Sequence, residues 1–187
     1  VLICIPLAFY YQNANPFLTG IGVENATGKM TLGQVSEVLF MLALPVFLNR
    51  FGIRWTLLLG MAAWVLRYVL FAYGDAGQGV WLLVVGIALH GICYDFFFVS
   101  GQIYTNSKAG VKIRSAAQGL ITLATYGVGM LIGFSVAGQI TQAYTTTEAT
   151  DWSSIWLFPA AFAGVVLVLF ALIFKNEPLQ QTEDKQP

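Results

Sequence analysis

At 187 residues, the chain is 57% hydrophobic and only 10% charged, with 9 Lys and Arg balanced by 9 Asp and Glu. An average soluble domain carries roughly 25% charged residues, and a soluble helical core sets its charges along one outer face; neither pattern holds here. Zero net charge without a basic surface excludes a nucleic-acid partner, and Cys4 and Cys93, both in apolar stretches, offer no disulfide framework or metal motif.

Six apolar stretches of spanning length follow one another, at about 1–19, 31–48, 55–73, 80–104, 115–139 and 154–174. They predict an all-α membrane protein with six transmembrane helices: a bundle over 1–175, then a solvated tail at 176–187 in which Pro178 stops the helix. The first stretch begins at residue 1 without a basic lead, so the chain is expected to be a piece of a longer one, starting inside a helix. Within it, "FYYQNANPFLTG" (9–20) sets amides into an apolar run. Each amide left unpartnered there costs about 2–7 kcal/mol. Gln12 and Asn15 share a helix face that leaves Asn13 aside, and Pro16 either loosens the helix or marks its end.

The second stretch carries Gln34 and Glu37 at the same spacing, in "GQVSEVLFM". An ionisable residue inside a span is a functional candidate by default; polar glue between helices is the alternative. The tight turn "NRFGIR" (49–54) leads into the third stretch, where Arg67 is expected to snorkel or to cap a carboxylate. The fourth contains "HGICYDFFFVSGQIYTN" (90–106). Tyr94 and Phe98 stack on one face of it, Asp95 and Gln102 lie on a neighbouring face, and His90 is either a proton-relay member or a structural residue. Gly129 and Gly133 in the fifth have the small-xxx-small spacing of a close helix contact. "TQAYTTTEATDWSS" (141–154) then reads as a polar external loop before the last stretch.

Charge alternates between the loops. Arg50, Arg54, Lys108, Lys112 and Arg114 follow the second and fourth stretches, and Lys175 and Lys185 lie in or next to the tail. The other loops hold Lys29 alone among basic residues, beside Glu24, Asp75, Glu148 and Asp151. The positive-inside rule then puts the basic loops and the C-terminus in the cytoplasm. A single histidine, with no nucleophile–base set and no metal cluster, argues against a membrane-embedded enzyme.

The spans, the cytoplasmic ends and the turn Asn49-Arg50-Phe51-Gly52-Ile53-Arg54 resemble one six-helix half of a major facilitator superfamily transporter. The family's loop looks like D-R-x-G-R-R/K, and the present one lacks its leading acid and one basic residue. "FYYQNANPFL", "GQVSEVLFM" and "CYDFFFVSGQIYTN" are similar to motifs of the nucleoside:proton symporter branch. The resemblance implies half of a twelve-helix major facilitator fold, spans seven to twelve, in a bacterial inner membrane. It implies nucleoside import coupled to protons by alternating access, with no cofactor. The partners would be a nucleoside, protons, the lipid bilayer and an N-terminal six-helix half. The matching positions for substrate are Gln12, Asn15, Gln34, Glu37, Tyr94 and Phe98. Glu37 and Asp95 are the candidate proton carriers. A sugar or oligosaccharide:proton symporter, and a non-transporting six-span membrane subunit, are the alternative readings.

Overall fold

The structure, a computed structural model, describes residues 1–175; the tail expected at 176–187 lies outside the described residues. Helices α1 (Cys4–Gly20), α2 (Ala26–Tyr73), α3 (Val80–Lys108), α4 (Val111–Ala143) and α5 (Trp152–Ile173) account for most of the chain. An isolated bridge between Thr145 and Thr150 closes the last loop. Helices α2 to α5 are each long and apolar enough to cross a membrane, and α1, with 17 residues, sits at the short end of spanning length. Leu42, Val46, Val165 and Leu172 are exposed on their outer faces, as side chains that meet lipid would be. The chain is an integral, multi-pass membrane protein.

The stretches expected at 31–48 and 55–73 join into one 48-residue helical segment, α2, and the reason is local. Only Gly52 leaves helical backbone, at φ 76° and ψ 172°, a region open essentially to glycine alone. The loop expected at 49–54 thus shrinks to a single residue that divides α2 into limbs of 26–51 and 53–73. The limbs fold back on one another. Glu37 on the first and Arg67 on the second both contact His90, whereas a straight helix would hold them about 45 Å apart at 1.5 Å per residue. Just beyond the turn, an Arg54 guanidinium nitrogen donates to the Ala171 carbonyl at 2.7 Å, which satisfies a last-turn acceptor of α5.

Helix α1 is held on two sides. Toward α4, a β-carbon on Gly129 would stand 2.9 Å from Cys4 Cβ, and one on Gly133 2.7 Å from Ala8 Cβ; the close contact read from the glycine spacing is present. Toward α5 and the second limb of α2, rings interlock: Phe9 with Phe158 at 5.5 Å, Phe17 with Trp156 at 5.4 Å, and Tyr68 with Trp156 at 5.6 Å. Such pairs contribute about 0.5–1.5 kcal/mol each beyond their buried area. The Tyr68 hydroxyl also donates to the Pro6 carbonyl. Helix α1 runs through Pro16 to Gly20, and because proline lacks an N–H the Gln12 carbonyl loses its intrahelical donor. Asp151 caps α5, accepting from the Ser154 backbone N–H at 3.1 Å and its hydroxyl at 2.6 Å. Those bonds hold the Asp151 carboxyl below the usual carboxylate range.

Candidate functional site

Helix α3 comes unusually close to both limbs of α2. A β-carbon on Gly91 would fall 2.4 Å from the Ser36 carbonyl oxygen, and one on Gly86 2.6 Å from the Phe71 ring. Neither position has room for a side chain. Ser36 fastens the first contact, donating to the Gly33 carbonyl at 2.7 Å and accepting the Gly91 N–H at 2.9 Å. On the second limb, the Trp64 indole N–H donates to the Cys93 carbonyl at 3.0 Å. This register delivers His90 to the space between Glu37 and Arg67.

His90 Nε2 lies 2.7 Å from Glu37 Oε1, and His90 Nδ1 lies 2.6 Å from Arg67 Nη1. A guanidinium has only donors. Nδ1 must therefore accept, the imidazole proton sits on Nε2, and it is donated to the Glu37 carboxylate. Arg67 is 0% exposed, and its guanidinium carbon stands 3.5 Å from the centroid of the Tyr10 ring, with Phe71 and Trp64 at 5.5 and 5.7 Å. The expectation that Arg67 snorkels or caps a carboxylate is corrected here: the charge faces ring surfaces and an imidazole, both attractive to a cation. The Glu37 side chain keeps 28% exposure, so its carboxylate retains lone pairs for a further donor.

One turn along α3, the Tyr94 ring is 6.0 Å from His90 and 5.4 Å from Phe98. Its hydroxyl meets that of Tyr126 on α4 at 2.5 Å, and the Tyr126 ring lies 5.8 Å from Phe98. Tyr126 and Phe98 each sit in a π-helical turn, Leu123–Gly129 in α4 and Asp95–Val99 in α3. Wider turns of this kind recur at functional sites because they re-aim side chains out of the regular helical register.

Asp95 opens the α3 π turn completely buried, and neither carboxylate oxygen has a hydrogen-bond partner among the described residues. Gln12 is half-buried beside Gly138 of α4. Asn15 is exposed and donates to the Thr27 hydroxyl at 3.1 Å. Gln34 is also exposed; with its amide nitrogen turned toward its own helix it would donate to the Met30 and Thr31 carbonyls at 3.0 and 3.2 Å. The structure thus links Glu37 to Tyr94 through His90 and Tyr94 to Phe98, while Asn15 is bonded to Thr27 instead. Sequence reasoning missed Tyr10, Ser36 and Tyr126. It also set Asn13 aside, although Asn13 is 2% exposed and accepts from the Thr141 hydroxyl at 3.2 Å. Only Tyr126 carried a signal, standing directly before the glycines of "YGVG". Among the described residues, no group of three or more His, Cys, Asp or Glu is placed to hold a metal ion.

The family model described as "Nucleoside H+ symporter" matches residues 1–178. The putative nucleoside transporter YegT of Escherichia coli (strain K12) is 44% identical over 192 residues, which is 98% of this chain and 45% of that protein. The nucleoside permease NupG of the same organism is 37% identical over 160 residues, covering 85% of this chain and 38% of NupG, and its xanthosine permease is 37% identical over 163 residues, covering 86% and 39%. The chain therefore spans less than half the length of these curated relatives. A crystal structure of NupG superposes with a TM-score of 0.77 at 35% identity, over 91% of this chain and 42% of that one. A point-mutant form of NupG gives a TM-score of 0.81 at 31% identity, over 93% and 46%. With a family match over nearly its whole length and the fold of a solved nucleoside transporter, the chain belongs to the nucleoside H+ symporter family, whose named members are transporters rather than enzymes.

Proposed function

We propose that the chain is the C-terminal six-helix half of a nucleoside:proton symporter of the major facilitator type, in a bacterial inner membrane with its C-terminus cytoplasmic. The observation that carries this reading is the partly exposed Glu37 carboxylate, held by His90 next to the ring cluster of Tyr94, Phe98 and Tyr126. A nucleoside presents ribose hydroxyls that a carboxylate and amides read as donors, and a flat base that rings stack against. Glu37 would accept from the ribose, Gln12, Asn15 and Gln34 would supply paired amide contacts, and Tyr94 and Phe98 would line the base.

With the antiparallel limbs of α2 counted separately and α1 included, the bundle would have six spans over 1–175. The basic loops then lie at the end where Arg54 meets Ala171, which suits a cytoplasmic face. Relatives about twice as long leave room for an N-terminal bundle that would supply the other half of the site and rock against this one. Asp95 fits the proton carrier: a buried carboxylate without a hydrogen bond is far less costly uncharged than charged, and Glu37 is the partner carboxylate nearer substrate.

Nucleoside affinity of the full-length protein tests this reading, measured by ligand-dependent thermal stabilisation with free sugars as competitors. Glu37→Gln should weaken nucleoside binding about 10- to 100-fold, the worth of one hydrogen bond to a charged group. Unchanged affinity, or sugars competing better than nucleosides, would contradict it, and the second outcome would favour the sugar symporter.

A further inference from the structure

We propose that Arg67 and His90 are positioning residues that lock the Glu37 carboxylate, with His90 held as a neutral Nε2–H tautomer rather than serving as a proton carrier. The inference rests on the reading of Glu37 as a substrate contact and adds what fixes it there. Three observations carry it. The ring of His90 is bonded at both nitrogens, to Glu37 Oε1 at 2.7 Å and to Arg67 at 2.6 Å. Its Arg67 partner is fully buried and clamped at 3.5 Å over the Tyr10 ring, so the donor facing Nδ1 has little freedom to swing away. Finally, the backbone beside His90 is pinned by the Gly91 N–H bond to Ser36, one residue from Glu37.

The chemistry follows from donor and acceptor count. A second proton on His90 would have to go to Nδ1, where it would point at a guanidinium N–H and leave two donors facing each other at hydrogen-bond distance. Arg67 thereby dictates the tautomer, and the tautomer dictates that Glu37 is met by a donor. The charged and titratable groups that touch His90 are Glu37 from the first limb of α2, Arg67 from the second limb, Tyr10 from α1 and Tyr94 from its own helix. An imidazole fastened this way orients a carboxylate, much as a hydrogen-bond partner behind a metal ligand orients that ligand.

A glutamine side chain can likewise donate at one end and accept at the other, and it cannot titrate. In the full-length transporter reconstituted in liposomes, His90→Leu should raise the nucleoside KM about tenfold or more. His90→Gln should recover at least half of that loss on a logarithmic scale, and it should still accumulate nucleoside uphill under an imposed pH gradient. Counterflow without uphill accumulation in His90→Gln would make His90 a proton carrier and overturn the proposal. An unchanged KM in His90→Leu alongside a weakened Glu37→Gln would overturn it while leaving the substrate site intact. An unchanged Glu37→Gln would instead overturn the substrate-site reading. Should His90→Leu fail to fold, imidazole nitrogen NMR on the wild type and on Arg67→Met decides the matter. A bare Nδ1 and a protonated Nε2 in the wild type, lost to a tautomer mixture in Arg67→Met, is expected; a protonated Nδ1 in the wild type, or no change in Arg67→Met, contradicts it.

Discussion

A guanidinium with no exposed surface must be held by something other than bulk water, and around Arg67 the chain provides the Tyr10 ring face, the rings of Trp64 and Phe71 and the lone pair of His90. That arrangement places a positive charge in the bundle without giving it a carboxylate, so Glu37 remains available through its remaining lone pairs. Asn13 illustrates the opposite role. Its carbonyl oxygen ties α1 to Thr141 of α4, while its Nδ2 has no hydrogen-bond partner among the described residues. Asn13→Ala should therefore lower unfolding stability by only about 0.6 kcal/mol, typical of hydrogen bonds between membrane helices, and leave nucleoside affinity within about twofold. Equilibrium unfolding in detergent, paired with a binding titration, checks both halves; a large affinity loss would move Asn13 into the site. Glu37 and Asp95 were legible in the sequence because ionisable groups in apolar stretches stand out at once. The partner of Arg67 was not, because it depends on a chain reversal that brings residues 37 and 67 to one imidazole.

At the scale of elements, the boundaries of α3 and α5 follow the apolar pattern within a few residues of expectation, since length and hydropathy decide them. The π turns Asp95–Val99 and Leu123–Gly129 left no such trace, because one widened turn changes hydrogen bonding without changing composition. A close contact of α4 was legible through Gly129 and Gly133, though not that α1 is its partner, and it can be tested directly. Gly133→Ala adds a β-carbon that would stand 2.7 Å from Ala8 Cβ and 2.8 Å from the Cys4 carbonyl oxygen, so it should cost about 1–3 kcal/mol by overpacking. Gly164→Ala, with nothing within 4 Å, should instead be neutral or stabilise by up to about 1 kcal/mol through helix propensity. Equal effects of the two in unfolding experiments would mean that the α1–α4 contact is loose.

Over the whole molecule, the reversal at Gly52, the Arg54 bond to the end of α5 and the interlocked rings of α1, α2 and α5 make one bundle. The polar groups cluster along the faces of α2 and α3 within it. In the proposed reading, this bundle would supply one wall of a central site and move as a body against an N-terminal half. The all-helical membrane class and the family were readable from the apolar stretches and three short motifs. The contrast between Glu37 and Asp95 was not, because both look alike until their surroundings are seen: one is bonded and partly exposed, the other buried and, among the described residues, without a hydrogen-bond partner. We propose that the full-length protein couples nucleoside movement to protons through those two carboxylates. The measurement that tests it is nucleoside accumulation in proteoliposomes under an imposed pH gradient, using the full-length protein with Glu37→Gln and Asp95→Asn. The wild type should concentrate nucleoside uphill and Asp95→Asn should retain counterflow without accumulation, with Glu37→Gln impaired in both. Undiminished uphill accumulation in both variants would contradict the account.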